Sequence, residues 1–169
     1  MTSLVPVEAI QARIFLIRGL KVILDWDLAK LYGTTTKRLK QQIKRNKKRF
    51  PEGFLFQLTN DEKGEVVSMC AHLKPLKFSP VLPHAFTEHG ALMAATVLNT
   101  DLAIKTSVFI MKAFVELRER AETHKDLMRK LNQLEFVVGL HDEKNRSLFK
   151  SIRKLVRNPR KQVEVTGFK

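Results

Sequence analysis

From Leu28 to Phe50 the chain reads LAKLYGTTTKRLKQQIKRNKKRF, with nine Lys or Arg side chains and no Asp or Glu. Side chains of this kind neutralise phosphates and release their counterions. Arg38, Gln41 and Gln42 add groups that form paired hydrogen bonds with purine edges. One Glu in the window would repel the phosphates, so its absence is part of the pattern. The residues that fit duplex DNA are Thr35, Thr36, Lys37, Arg38, Lys40, Gln41, Gln42, Lys44, Arg45, Lys47, Lys48 and Arg49. Arg38 is expected on a base and Lys44 on a phosphate. The plainer alternative is a solvated basic face.

Other chemistry finds weaker support. His84, Glu88 and His89 suggest an acid–base pair, but no nucleophile, base and orienter fall together. Asp25 and Asp27 suggest a nuclease metal, yet a helix N-terminus also accounts for two carboxylates. The five histidines and the lone Cys70 show no zinc spacing, and no glycine-rich phosphate loop occurs. No enzyme, metal or cofactor is expected. The formal charge of +14 points to a polyanionic partner. A single cysteine excludes an internal disulfide and fits a cytoplasmic location. No signal peptide or membrane span is evident, and no membrane partner is expected.

Several elements must position the basic residues. Ile14–Ile17 and Val22–Leu24 are apolar and β-branched, which predicts a strand and its return. Asp25 offers an N-cap and Asp27 a first-turn carboxylate for a short helix ending at Gly33. Thr34 or Thr35 can cap a second helix running to about Asn46. At 3.6 residues per turn, Leu39 and Ile43 point inward. Lys37, Lys40, Gln41, Lys44 and Lys48 then form one outward stripe, with Arg38, Gln42, Arg45 and Arg49 beside it. Small Ala29 permits close helix approach and Gly33 a tight turn, a frame that suits a helix-turn-helix.

Phe50-Pro51 ends the second helix, and residues 53–58 read as a strand. Thr59 to Glu62 starts a short helix. Residues 73–83 hold three prolines and read as loop and extended chain, in which Lys74 and Lys77 suit a wing or arm on phosphates. Thr87-Glu88 opens an apolar helix to about Leu98. The next helix carries Leu102, Val108, Phe109, Met111, Phe114, Val115 and Leu117, and its apolar middle is expected at the centre of the core.

Leu127, Leu131, Leu134, Val138, His141, Asn145, Leu148, Ile152 and Leu155 then recur at alternating spacings of about four and three, a coiled-coil seam. That predicts a homodimer through this seam, with Asn145 setting register. Gly139 weakens the helix by about 1 kcal/mol relative to Ala.

The string VILDWDLAKLYGTTTKRLKQQIKRNKKRFPEGFLFQLT resembles the N-terminal motif of the phage and bacterial KilA-N superfamily, in its ORF-six-N (ORF6N) branch. Asp25, Asp27-Leu28-Ala29, Leu31-Tyr32-Gly33, Thr36-Lys37-Arg38-Leu39, Lys44-Arg45-Asn46, Arg49-Phe50-Pro51 and Phe54-Phe56-Gln57-Leu58 carry the likeness. Residues 83–90, PHAFTEHG, and Ala113-Phe114-Val115 extend it. The resemblance implies DNA binding in phages, prophages and mobile elements, often within antirepressor-like regulators.

The sequence therefore predicts an α+β fold: a winged-helix-like domain over 5–120 with small β elements and an apolar helical core. A coiled-coil dimerisation helix over 126–156 and a flexible tail over 157–169 follow. The expected partners are double-stranded DNA and a second copy of the chain. The alternative is an antirepressor-like module that contacts a repressor or another regulatory protein and holds DNA only non-specifically.

Overall fold

In the computed structural model of the protein, residues 5–138, 143–156 and 164–165 are described. The strands Ile14–Ile17 (β1) and Leu20–Leu24 (β2) form an antiparallel hairpin in which Ile17 faces Leu20. Arg18 and Gly19, both at positive φ, make its two-residue turn, the geometry that matches the twist of paired strands. Leu55–Gln57 (β3) and His84–Phe86 (β4) complete an antiparallel set in the order β3-β4-β2-β1. Glu164–Val165 (β5) adds a parallel edge beside β1. Two residues of the expected flexible tail are therefore paired, because β1 offers an open edge; the rest of 157–169 lies outside the described residues.

The strands are apolar in continuous runs because both sheet faces are covered. Side chains alternate between the faces with the strand period of two. Ile23, Leu55 and Phe86 join a core with Leu28, Leu39, Ala94 and Ile110. Phe15, Ile17, Val22, Leu24 and Ala85 join a second core with Leu58, Val66, Leu73 and Leu76.

The first core is closed by helices Val7–Gln11 (α1), Asp25–Leu31 (α2), Thr36–Arg45 (α3), Glu88–Leu98 (α5) and the first part of Asp101–Val138 (α6). The second is closed by Asn60–Met69 (α4) and a 3-10 helix over Ala71–Phe78. This is the α+β class that the sequence implied. The strands following α3 pair antiparallel, and the chain between them is α4 and the 3-10 helix rather than a tight hairpin. The expected loop over 73–83 is thus half helical, because Leu73 and Leu76 recur at the 3-10 period and both are buried.

The middle of α6 is not buried all round, as its composition suggested. Ala103, Ile110, Ala113 and Phe114 face the core, while Ile104, Val108 and Met111 are exposed. Small alanines on the inner face permit close packing there, and the larger residues face solvent.

The chain divides into two compact units, Met1–Phe114 with Val163–Lys169, and Val115–Gln162. In the second unit, the single helix expected over 126–156 is replaced by the end of α6 and a separate helix, Glu143–Val156 (α7). The two run antiparallel. Arg153 donates to Asn132 Oδ1 at 2.7 Å and to Glu135 Oε2 at 2.6 Å, and His124 Nε2 lies 2.6 Å from the Val156 carbonyl. Such contacts are geometrically impossible along one straight helix. Leu131 and Ile152 are half-buried, whereas Leu127, Leu134 and Leu148 stay exposed. The side chains of Val138, His141, Asn145 and Leu155 lie outside the described residues.

One close approach fixes α5 against β3. The Thr87 hydroxyl donates to the Gly53 and Phe54 carbonyls at 3.0 and 3.1 Å, and the Thr87 N–H donates to the Phe54 carbonyl at 3.1 Å. A Cβ on Gly90 would overlap that same Phe54 carbonyl. Backbone cannot step aside as a flexible side chain can, so overpacking here costs about 1–3 kcal/mol. Gly90→Ala is expected to lower the free energy of unfolding by that amount in urea titration, while Gly64→Ala, which meets open space, should leave it unchanged or raised.

Candidate nucleic-acid interface

The basic window folds as two short helices and a 3-10 turn. Gly33, at φ +63°, follows α2, and a Cβ there would strike the Leu102 side chain. Only glycine adopts this backbone without strain. Tyr32 is buried and its hydroxyl donates to the Ala91 carbonyl at 2.7 Å, which pins the end of α2 to α5. Burial pushes the Tyr32 phenol well above its ordinary pKa, so it remains a donor.

Thr35, of the two threonines considered, caps α3: its side-chain oxygen accepts from the Arg38 N–H at 3.2 Å. Leu39 is fully buried and Ile43 packs against the core, as the helical spacing required. The opposite face carries Lys37, Arg38, Gln41, Lys44 and Arg45, all exposed. Thr36 and Gln42 are half-buried at its margins.

The helix ends at Arg45 with Asn46 as its C-cap, as the expected run to about Asn46 required. The Asn46 side-chain amide donates back to the Gln42 carbonyl at 2.9 Å. Lys47, Lys48 and Arg49 follow in a 3-10 turn and are exposed.

Lys40 departs from the outward stripe assigned to it. Its ammonium lies 2.9 Å from Asp25 Oδ2, and Asp25 is 1% exposed. The same oxygen accepts the His84 backbone N–H at 3.0 Å, and His84 Nδ1 stands 3.7 Å away. Asp25 does not cap α2, because α2 begins with it and Leu24 precedes it without a capping side chain. Burial pushes the Asp25 carboxyl up, but the His84 imidazole, the Lys40 ammonium and the His84 N–H outweigh that and hold it below its ordinary value. Asp27, also 1% exposed, faces away from Lys40. Its Oδ2 hydrogen-bonds His72 Nε2 at 3.1 Å and its Oδ1 lies 4.0 Å from Arg13 Nε. Sequence spacing carried no sign of either partner.

Beside this site, Glu62 closes a capping box with Thr59 and receives the Arg18 guanidinium at 2.7 and 2.9 Å. The Arg18 hydrogen bond holds the Glu62 carboxyl below its ordinary range against burial. Arg18 also lies 4.5 Å over the Phe56 ring. Thr59 and Thr87 both cap the helices their positions predicted. Of the residues considered for acid–base chemistry, His84 lies against Asp25, and His89 stacks on Phe54 with ring centroids 5.8 Å apart.

Among the described residues, no group of three or more His, Cys, Asp or Glu side chains is placed to hold a metal ion, and no helix is long and apolar enough to cross a membrane.

A basic, acid-free helix is thus held on an α+β core through a buried carboxylate. The family model for the ORF6N domain matches residues 12–97, and the chain belongs to that family. The match spans α2, α3, the anchoring aspartates and α5 as far as Val97. No curated protein and no solved structure matches the chain.

The Asp25 and Glu62 carboxyls both sit below their ordinary values of 3.8 and 4.5 in the folded chain. The unfolded chain then binds protons more readily, so their contribution is fully present above about pH 5 and is lost as pH falls through the carboxylate range. Melting temperature should drop steeply between pH 5 and pH 3. Asp25→Asn with Glu62→Gln should melt lower at pH 6 and show a shallower acid limb. An acid limb equally steep in the variant would contradict this assignment.

Proposed function

We propose that the chain is a duplex-DNA-binding regulator of the phage and prophage type, in which α2 and α3 act as a helix-turn-helix and the outer face of α3 enters a major groove. The observation that carries this is the exposed face of Lys37, Arg38, Gln41, Lys44 and Arg45, which no carboxylate of α3 interrupts. Such a face supplies phosphate contacts and base-reading side chains together. Lys47, Lys48 and Arg49 add phosphate contacts beyond the helix end. Lys40 contributes by holding α3 in place. The KilA-N resemblance and the ORF6N match support the reading. The protein works in the cytoplasm, needs no cofactor and performs no covalent chemistry.

Two copies pair through the second unit. Leu127, Leu134 and Leu148 remain exposed on the α6–α7 hairpin, and two such hairpins can bury them as a four-helix bundle. Each buried leucine contributes about 1.5–3 kcal/mol. Pairing gives two α3 helices and a two-part site. A second reading, contact with another regulatory protein, is favoured by the exposed stripe of Ile104, Val108 and Met111.

Replacing Lys37, Lys44 and Arg45 together with Glu should abolish duplex binding in a gel-shift titration while circular dichroism stays that of the wild type. Retained affinity would overturn the groove assignment. Lys44→Ala alone should flatten the salt slope by about one unit on every sequence, whereas Arg38→Ala should cost about 1–3 kcal/mol chiefly on the preferred site. For pairing, Leu134→Lys with Leu148→Lys is expected to give a monomer by light scattering where the wild type is a dimer. A monomeric wild type, or a dimeric variant, would refute the bundle.

A further inference from the structure

The 3-10 helix over Ala71–Phe78 has three residues per turn, so its side chains fall into rows at i and i+3. One row, Leu73 and Leu76, is buried and roots the segment in the second core. A second row, Lys74 and Lys77, is exposed. The third row, Pro75 and Phe78, is exposed as well, and Phe78 is 84% accessible. Lys77 Nζ lies 5.9 Å from the centroid of the Phe78 ring. From Val66 to Thr87 the chain has no Asp or Glu, so the whole stretch is cationic or neutral.

The blade is braced at both ends. His72 hydrogen-bonds the buried Asp27 of α2, and Lys63 donates to the Ser79 carbonyl at 2.5 Å. Asp25 and Asp27, two residues apart on α2, thus hold α3 through Lys40 and the blade through His72. A large aromatic held out in water on a rigid stem, with ammonium groups in the adjacent row, gains nothing from the fold.

We infer that this blade is a second nucleic-acid contact, with Phe78 as a wedge against a base step of duplex DNA and Lys74 and Lys77 on the flanking phosphates. The charge favours a polyanion over an apolar protein groove. An apolar wedge that enters a duplex partly unstacks one step and bends the helix. The inference rests on the DNA-binding reading above.

The test uses the full chain and a mixed-sequence duplex of about 30 base pairs carrying a donor and an acceptor dye at its ends. Affinity is read by anisotropy over a salt series and bending by energy transfer. The wild type should bind and shorten the end-to-end distance. Phe78→Ala should weaken binding about tenfold, abolish the bend and keep the salt slope. Phe78→Trp should retain both affinity and bend. Lys74→Gln with Lys77→Gln should lower the salt slope by about two units. A Phe78→Ala protein that binds and bends as the wild type does would overturn the wedge while leaving the α3 reading intact. Unchanged DNA binding with loss of self-association in light scattering would overturn it in favour of a protein contact. A wild type that binds no duplex would overturn both.

Discussion

The buried carboxylate of Asp25 is the joint on which the basic region depends. It binds Lys40 from α3 and the backbone of His84 from β4, so one side chain ties helix to sheet. A buried ion pair is weak evidence for net stability, because desolvation offsets much of the attraction. Breaking it is another matter, since an unpaired buried charge costs about 3–5 kcal/mol. The arrangement therefore acts chiefly on orientation. It fixes how α3 is turned about its axis and which side chains point away from the core.

That orientation sorts the cations of the window by role. Lys40 is consumed in holding the helix, while Lys37, Arg38, Lys44 and Arg45 are left outside. The same helix N-terminus supplies Asp27 to His72, so α3 and the 3-10 helix over Ala71–Phe78 hang from neighbouring residues of α2. Tyr32 and Gly33 secure the other end of α2 against α5 and Leu102. A rigid frame of this sort lets a short helix present side chains to a ligand without the entropic cost of ordering them on binding.

Local periodicity and capping chemistry were readable in the sequence. Leu39 and Ile43 on the inner face of α3, the hairpin at Arg18-Gly19, and the caps at Thr35, Thr59 and Thr87 all follow from rules that span a few residues. What escaped depends on partners distant in the chain. Nothing in the spacing of Asp25 identifies Lys40 and His84 as its neighbours, and nothing near Asp27 identifies His72. The division of the stretch from Leu127 to Leu155 between two helices was hidden for a related reason. An alternation of four and three marks an apolar stripe on each helix, and the count itself carries no sign of where one helix ends and the next begins. Leu73 and Leu76 did carry the 3-10 period, but three prolines nearby made extended chain the simpler reading.

We propose that the exposed face of α3 reads duplex DNA. Selection of bound sequences from a random duplex library by the full chain tests it most directly. A face that reads bases should enrich a defined sequence, carried in two related halves if two copies bind together. Retention of DNA with no enriched sequence after repeated rounds would contradict it, and would leave the basic helix as a non-specific anchor.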